Sequence, residues 1–222
     1  MEEKVVLSPR LQTVFSMIPE CGTVVDVGSD HGKLGACCLL NNRSKNVIAT
    51  DIHELPAQRT EEMLKECGLS DVSRVYVADG LSGVPVEEDM TVVIAGMGGL
   101  EICKIIQNAL SEHDPFPMNT WFVLQPQRSF YEVRSFLAES GFAIRDEKIA
   151  SERGRFYTVI LAQYDRNRYS LSDEEYFLGP VILSKRPKWY NEYIAHEEQV
   201  MRKRALGDPK CAEILKNWEK LI

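Results

Sequence analysis

The chain reads VVDVGSDHGK from Val24 to Lys33, and this stretch predicts the class of fold. A β-branched run ends at an aspartate, a glycine-containing turn follows, and the apolar segment 34–40 is typical of a helix. Strand, tight turn and helix in this order build the nucleotide-like sites of α/β sheets. A dinucleotide fold would have Gly-x-Gly-x-x-Gly here, which seats a pyrophosphate on the helix N-terminus. Asp30 stands where the second glycine would be, and its carboxylate favours an amino group or a sulfonium over a pyrophosphate.

Downstream of this stretch, the chain continues to alternate strands and helices. Apolar, β-branched runs predict four more parallel strands, at 46–50, 74–78, 90–94 and 121–124. Amphipathic runs predict three helices between or after them, at 55–67, 100–110 and 129–140. Segments 142–149 and 156–163 predict an antiparallel hairpin with its turn around Gly154. Five parallel strands closed by an antiparallel pair fit a class I methyltransferase sheet better than a dinucleotide-binding one.

Two helix starts carry capping signals. Ser8 followed by Pro9 predicts a helix in front of the first strand, which Pro19 would end. Ser129 and Glu132 have the spacing of a capping box at the helix after the fifth strand. We therefore expect both serines to be N-caps.

Acidic residues stand at the predicted carboxyl ends of three strands. Asp26 ends the first strand, Asp51 ends the second, and Asp79-Gly80-Leu81 follows the third. The carboxyl ends of parallel strands meet at one edge of a sheet, where ligands bind. Asp51 is placed to accept hydrogen bonds from ribose hydroxyls, or else it is a helix cap or solvated turn. Asp79 is placed to hold an adenine amino group, or else it begins a common Asp-Gly turn.

A glycine-rich loop, Ala95-Gly96-Met97-Gly98-Gly99, follows the fourth strand. Three glycines in four positions are entropically costly unless the backbone approaches another group closely. Next to the first loop, they predict the second wall of a ligand crevice, and the alternative is tight packing of a helix on the sheet.

Composition bounds the class of protein. The 222 residues are 44% hydrophobic and 27% charged, with a formal net charge of −7, which is ordinary for a soluble globular protein and unfavourable for a polyanion partner. The N-terminus has no signal-peptide pattern, and no apolar run reaches the roughly 20 residues that span a membrane. The six cysteines and four histidines show no metal-ligand spacing. We expect a cytoplasmic protein with reduced thiols, no membrane segment and no metal.

The composition changes near residue 164, which predicts a methyltransferase-like domain at 1–163 and a helical domain at 164–222. Gly207-Asp208-Pro209 interrupts the helical pattern, so the second domain should be a helical hairpin whose last helix covers about 212–221. Basic residues cluster at 153/155, 166/168, 185/186/188 and 202–204. These clusters form either a phosphate-binding face or a solvated helix surface of mixed charge.

Five motifs now stand in a recognisable order. They are Leu7-Ser8-x-Arg10-Leu11, Asp26-Val27-Gly28-Ser29-Asp30-His31, Asp79-Gly80-Leu81, Ile94-Ala95-Gly96-Met97-Gly98-Gly99 and Leu124-Gln125-Pro126. Together they resemble the bacterial tRNA adenine-N1 methyltransferases of the TrmK type, over roughly residues 5–163. The resemblance implies a class I domain that uses S-adenosylmethionine (SAM) to methylate adenine 22 of tRNA. It also implies that the C-terminal helices help to hold the tRNA.

The resemblance also implies residue roles. Cofactor contacts would come from Asp26, Gly28, Ser29, Asp30, Asp51, Ile52, Asp79, Gly80, Leu81, Ala95, Gly96, Met97 and Gly98. Asp26, Gly28 and Asp30 would line the methionine end of SAM. Asp51 would hold the ribose, and Asp79 with Leu81 the adenine. Asp30 and His31 are the candidate catalytic residues, because either could stabilise the positive charge that develops on the methylated base, although His31 could instead only hold the loop.

Other interpretations stay open at this point. A SAM-dependent methyltransferase of a protein or small molecule suits the acidic first domain. A non-catalytic SAM-binding protein that uses its helical tail for interactions is also compatible. A dehydrogenase conflicts with Asp30 and with the closing hairpin. The sequence does not fix the oligomeric state, for which a monomer is favoured.

Overall fold

A single seven-stranded sheet forms the centre of the molecule. Its strands are β1 Cys21–Val27, β2 Ser44–Asp51, β3 Ser73–Val77, β4 Met90–Met97, β5 Trp121–Pro126, β6 Phe142–Glu152 and β7 Arg155–Tyr164. The computed structural model describes residues 5–113 and 115–218. In space the strands follow the order β3-β2-β1-β4-β5-β7-β6, with β1 to β5 parallel and β7 antiparallel to both of its neighbours. This topology confirms the predicted class I methyltransferase sheet with its closing hairpin.

Helices cover both faces of the sheet. They are α1 Pro9–Phe15, α2 Lys33–Leu40, α3 Glu54–Glu66, α4 Gly99–Glu112 and α5 Phe130–Glu139. Consecutive strand residues supply opposite faces, so Val24 packs with α1, α2 and α3, while Val25 packs with α4 and α5. Because both faces are buried, the central strands are almost continuously apolar, and for this reason their positions could be predicted from short apolar runs.

The region after residue 164 contains more helix than the predicted hairpin. Its described helices are α6 Asp173–Leu178, α7 Pro180–Lys185, α8 Tyr190–Ala205 and α9 Pro209–Trp218. The last two pack on each other across the predicted break at 207–209, whereas α6 and α7 were not predicted. Their buried side chains, among them Tyr193 and Trp218, form a separate apolar core that Ile149 of β6 joins. The predicted end of the last helix, near residue 221, lies outside the described residues.

The two capping predictions have opposite outcomes. Ser8 is the N-cap of α1, since its hydroxyl accepts a hydrogen bond from the Leu11 N–H at 3.4 Å, although the helix ends at Phe15 and not at Pro19. The prediction of a capping box at Ser129 is wrong, because Ser129 has a φ of 61° and its side chain makes no capping hydrogen bond. The loop is held instead by the Gly99 N–H, which donates to the Arg128 carbonyl at 3.1 Å.

A buried ion pair joins the helical region to the sheet. The Arg134 Nε of α5 donates to Glu147 Oε1 of β6 at 2.8 Å, and both side chains are fully buried. The guanidinium also donates to the carbonyls of residues 176 and 177 at the end of α6. The carboxylate accepts from the N–H groups of residues 181 and 182 at the start of α7. We call this ion pair and its four backbone partners the buried clasp.

Three further properties hold across the described residues. No helix there is long and apolar enough to cross a membrane. Within the same residues, no group of three or more His, Cys, Asp or Glu side chains is placed to hold a metal ion. All six cysteines are free thiols.

Candidate functional site

The candidate site lies where β1 and β4 meet at the carboxyl edge of the sheet. Strands β2 and β3 are added to one side of β1, and strands β4 and β5 to its other side. The strand order therefore reverses between β1 and β4, and the loops that leave these two strands diverge and form a crevice. Every loop that carries a predicted site residue leaves the sheet at this edge. The parallel register of β1 with β2 and β4 therefore brings those loops together.

The first loop is anchored by its backbone. The N–H groups of Gly28 and Ser29 both donate to the Thr50 carbonyl of β2, at 2.8 and 3.0 Å. Gly28 has a φ of 71°, and a Cβ there would stand 2.1 Å from the Met97 Cε. A side chain at this position would therefore be strained and would close the space between the β1 and β4 loops. From the other side, the Thr60 hydroxyl of α3 donates to the Ser29 carbonyl at 2.7 Å.

Asp26 is a buried carboxyl group at the end of β1. Only 6% of the residue is exposed. Desolvation raises its pKa from 3.8 to about 6, and the neighbouring Ser29 hydroxyl partly opposes that rise. A buried carboxylate without a positively charged protein partner is unfavourable unless a ligand compensates for it, and such a group is typical of a functional site.

Asp30 lies at the mouth of the crevice between His31 and Arg59. Its Oδ1 is 3.6 Å from His31 Nε2 and 3.8 Å from Arg59 Nη1. All three side chains are about half exposed, so these contacts add little stability and leave the carboxylate accessible. His31 has a φ of 70°, which is uncommon outside glycine. Arg59 was not predicted, because only the tertiary position of α3 brings it to this loop.

The second and third loops complete the β2–β3 side of the crevice. The Asp51 Oδ1 accepts a hydrogen bond from the His53 N–H at 2.8 Å, which fixes the carboxylate in the turn that leads into α3. Ile52 beside it is 58% exposed, which is unusual for isoleucine and leaves an apolar surface for a flat ligand.

The turn after β3 places its three predicted residues differently. Asp79 is exposed, while the Gly80 carbonyl accepts a buried hydrogen bond from the Thr50 hydroxyl at 2.9 Å. The Leu81 side chain is 2% exposed and belongs to the apolar core. Only the backbone of Leu81 can therefore contribute to the crevice.

The glycine-rich loop at the end of β4 both forms a wall of the crevice and packs a helix tightly on the sheet, so both interpretations of its glycines apply. Ala95, Gly96 and Met97 still belong to β4, which has an irregular register there against β5. Gly96 is exposed with a φ of 85°, so it serves the crevice. Gly99 serves packing, because a Cβ there would stand 2.5 Å from the Arg128 carbonyl oxygen. Gly98 lies between them and caps α4 through its backbone only.

Arg10 and Gln127, to which the sequence assigned no role in the site, stand on the β5 side of the crevice. The Arg10 Nη1 donates to the Gln125 Oε1 at 2.6 Å, and its Nε lies 3.7 Å from Glu152 Oε2. A Cβ on Gly96 would be 3.6 Å from Arg10 Nη1 and 4.0 Å from Gln127 Nε2. The available signals were the Leu-Ser-x-Arg motif and the Gln-Pro-Gln run at a strand end, but neither indicates that the two segments meet.

A cleft of about 860 Å³ opens beside Gln127, between the methyltransferase-like part and helices α8 and α9. It is lined by basic residues Arg128, Arg155, Arg204 and Lys210, by aromatic residues Phe130, Tyr131, Phe156, Tyr157 and Phe177, and by His196. Three carboxylates also line it, from Glu132, Glu197 and Asp208. Positive groups next to aromatic rings are typical of surfaces that bind single-stranded or looped nucleic acid.

Comparison with known proteins agrees with this architecture. A family model described as a methyltransferase domain matches residues 7–160. The chain is 32% identical over 157 residues to the tRNA (adenine(22)-N(1))-methyltransferase of Bacillus subtilis, a match that covers 71% of this chain and 65% of that protein.

Solved structures extend the comparison to the whole chain. The crystal structure of the Bacillus subtilis m1A22 tRNA methyltransferase TrmK has a TM-score of 0.81 and 27% identity, and the superposition covers 98% of this chain and 97% of that one. A Streptococcus pneumoniae protein solved in complex with S-adenosyl-L-methionine has a TM-score of 0.86 and 24% identity, with 97% and 99% covered. The chain is thus similar over nearly its whole length to the TrmK tRNA methyltransferase of Bacillus subtilis, and it belongs to the methyltransferase-domain family.

Proposed function

We propose that this chain transfers the methyl group of SAM to N1 of adenine 22 in tRNA. The main support for the proposal is that Gln127 lines the cleft of arginines and aromatic rings and also lies next to Gly96 of the crevice, with its Nε2 4.0 Å from the position of a Cβ on Gly96. A site for a small cofactor and a surface suited to RNA thus share one edge of the sheet. The name of the Bacillus subtilis relative supports the choice of adenine 22. We place the enzyme in the cytoplasm, where its substrate is, and expect a monomer.

The residues of the crevice suit SAM. The Gly28 backbone contacts the Met97 side chain so closely that no side chain fits between them, which holds the β1 and β4 loops next to each other. The buried Asp26 and the exposed Asp30 would attract the positively charged methionine end of SAM. Asp51 would accept hydrogen bonds from the ribose hydroxyls, and Ile52 would contact the adenine face. Asp79 would accept a hydrogen bond from the adenine amino group.

Neutral adenine N1 needs no base catalyst. When bound, SAM supplies an electrophilic methyl group on a positively charged sulfur, so that a new N–C bond forms as the C–S bond breaks and the charge passes to the base. Because N1 already carries a free lone pair, the protein mainly has to hold the reactants in line. Asp30 then stabilises the cationic product ring electrostatically, and His31 holds the loop that presents Asp30.

The target base must leave any stack that it occupies in the tRNA. The cleft offers tyrosine and phenylalanine rings that can receive an unstacked base, and Arg128 and Arg155 can contact phosphates beside it. The cleft has four basic side chains against three carboxylates, so phosphates can be contacted there although the whole chain carries a net charge of −7, since the field of a cleft depends on the residues that line it.

The test is methyl transfer from labelled SAM to unmodified tRNA transcripts that carry adenine or guanine at position 22. We expect label in the adenine transcript alone. Label in both transcripts would move the target base within the RNA. Label in neither, with SAM binding intact, would refute the proposal in favour of a protein substrate or a non-catalytic role.

A further inference from the structure

The amide side chain of Gln127 stands on the β5 side of the crevice and has no hydrogen-bond partner among the described residues. Its backbone N–H donates to the Met97 carbonyl at 2.8 Å, which fixes the residue to the end of β4. Its Nε2 is 4.0 Å from the position that a Cβ on Gly96 would take. The residue is exposed, and its side-chain amide makes no hydrogen bond within residues 5–113 and 115–218.

Gln125, two residues earlier, shows the opposite arrangement. It is fully buried, its Oε1 accepts from Arg10 Nη1 at 2.6 Å, and its Nε2 donates to the Pro126 carbonyl at 2.8 Å. Both ends of that amide are therefore used inside the protein. Of the two glutamines, Gln125 holds Arg10 against the end of β5, and Gln127 is left to contact a ligand.

The direction of approach identifies that ligand as the methyl acceptor. The loops after β1, β2 and β3 belong to the proposed SAM site, so a base can enter only from the side of β4 and β5. Gln127 is on this side, next to Gly96, and it also lines the cleft beneath α8 and α9. Gln127 thus borders both the cleft and the Gly96 loop, so a base that enters from the cleft would meet its amide.

We propose that Gln127 is the specificity-determining residue that reads the target adenine by accepting from its N6 amino group and donating to N7. This inference rests on the proposed function. A primary amide presents a donor and an acceptor side by side, and glutamine pairs in this way with adenine N6 and N7. Such a pair occupies the edge that does not include N1 and leaves the N1 lone pair free for the methyl group. Guanine is rejected, because its O6 would face the amide oxygen and its N1 carries a hydrogen.

The neutral amide also suits the product. Methylation places a positive charge on the base, and a lysine or arginine in place of Gln127 would add a further cation next to Arg10, whose Nη1 is 3.6 Å from the position of a Cβ on Gly96. Glutamine reads the same edge without adding charge beside the reacting nitrogen.

The experiment changes one atom of the substrate at a time. Ligated tRNAs carry adenosine, 7-deazaadenosine, which lacks N7, or purine riboside, which lacks the N6 amino group, at the target position. For the wild-type chain, we expect each analogue to lower kcat/KM for labelled methyl transfer about 10- to 100-fold. Gln127→Ala should lower transfer to adenosine by a similar factor, should show no further loss with 7-deazaadenosine, and should lose less than wild type with purine riboside, whose N1 is intrinsically less nucleophilic without the amino group.

Gln127→Glu separates the contact with N6 from the contact with N7, because its carboxylate can accept from the N6 amino group but cannot donate to N7. This variant should be sensitive to the loss of N6 and insensitive to the loss of N7. Gln107→Ala, on the exposed face of α4, is the matched control and should behave as wild type. SAM affinity, measured separately, should be the same in all four proteins, which shows that each variant is folded.

The outcomes separate this inference from the function on which it rests. If the wild-type chain methylates adenosine but 7-deazaadenosine slows Gln127→Ala as much as wild type, another group reads N7 and the inference is overturned alone. If the wild-type chain methylates no tRNA adenine, the proposed function is overturned and the inference with it.

Discussion

Replacing Asp26 with asparagine should make the folded protein more stable while it removes cofactor binding. The Asp26 carboxyl is 6% exposed and has its pKa raised from 3.8 to about 6 by desolvation. Asparagine has nearly the same shape and no charge to desolvate. The expected gain therefore equals the cost of ionising this carboxyl inside the protein.

The magnitude follows from the two pKa values. A tenfold change in proton affinity is worth roughly 1.4 kcal/mol, so a rise from 3.8 to about 6 corresponds to about 3 kcal/mol. Between these pH values the native state of the wild type binds more protons than the unfolded chain, and rising pH therefore lowers its stability. The advantage of Asp26→Asn should be about 3 kcal/mol at pH 8 and about half of that at pH 5.

Urea unfolding at pH 8 and pH 5, without cofactor, measures both values. The exposed Asp71→Asn is the matched control, with an expected change within about 0.5 kcal/mol at either pH. SAM titration should show that Asp26→Asn no longer binds. In the wild type, affinity for the positively charged cofactor should fall as the pH drops below about 6, because Asp26 then takes up a proton. Equal or lower stability of Asp26→Asn at pH 8 would refute this reasoning.

Four other substitutions test the buried clasp and the loop after β1. Glu147→Gln should lower the free energy of unfolding by about 3–5 kcal/mol in a urea titration, because it leaves the charge of Arg134 buried and unpaired. Gly179→Ala should cost roughly 1–3 kcal/mol by the same assay, since the residue has a φ of 101° and an added Cβ would stand 2.5 Å from the Glu147 carboxylate. Gly207→Ala, with open space around it, should cost little. Asp30→Asn should lower kcat about 10²-fold in methyl transfer with SAM affinity less affected, because it removes charge that stabilises the product ring.

Each of these expectations has a clear contrary result. A stable Glu147→Gln protein would mean that water or backbone groups already satisfy the arginine. If Gly207→Ala destabilised as strongly as Gly179→Ala, the argument from the clasp would fail. An unchanged kcat in Asp30→Asn would leave the β1 loop with a role in binding alone.

Much of the sheet could be predicted because its information is local. Runs such as Val24–Val27 and Met90–Ile94 are largely apolar on both faces, and the aspartate and glycine residues at their ends mark where the strands stop. The edge at which these loops meet then follows from parallel topology alone. The predicted hairpin turn was found for the same reason, with Arg153 and Gly154 both at positive φ between β6 and β7.

Features that depend on distant partners could not be predicted. Arg10 contacts Gln125 across 115 residues of sequence, and nothing near either residue indicates the other. Ser129 has the local pattern of a helix cap, but a hydrogen bond from Gly99 to the preceding carbonyl sets the loop in another conformation. In the sequence, Arg134 and Glu147 have the pattern of ordinary surface charges. They are buried only because α6 and α7 pack over them.

The buried clasp has a consequence for how the chain unfolds. Both charged residues precede the predicted boundary at 163, whereas the four backbone groups that complete their hydrogen bonds follow it. Separation of the two parts would expose an ion pair on one side and the ends of two short helices on the other. The helical region and the sheet should therefore melt in a single cooperative transition, and a chain shortened to residues 1–163 should lose stability rather than behave as an independent enzyme.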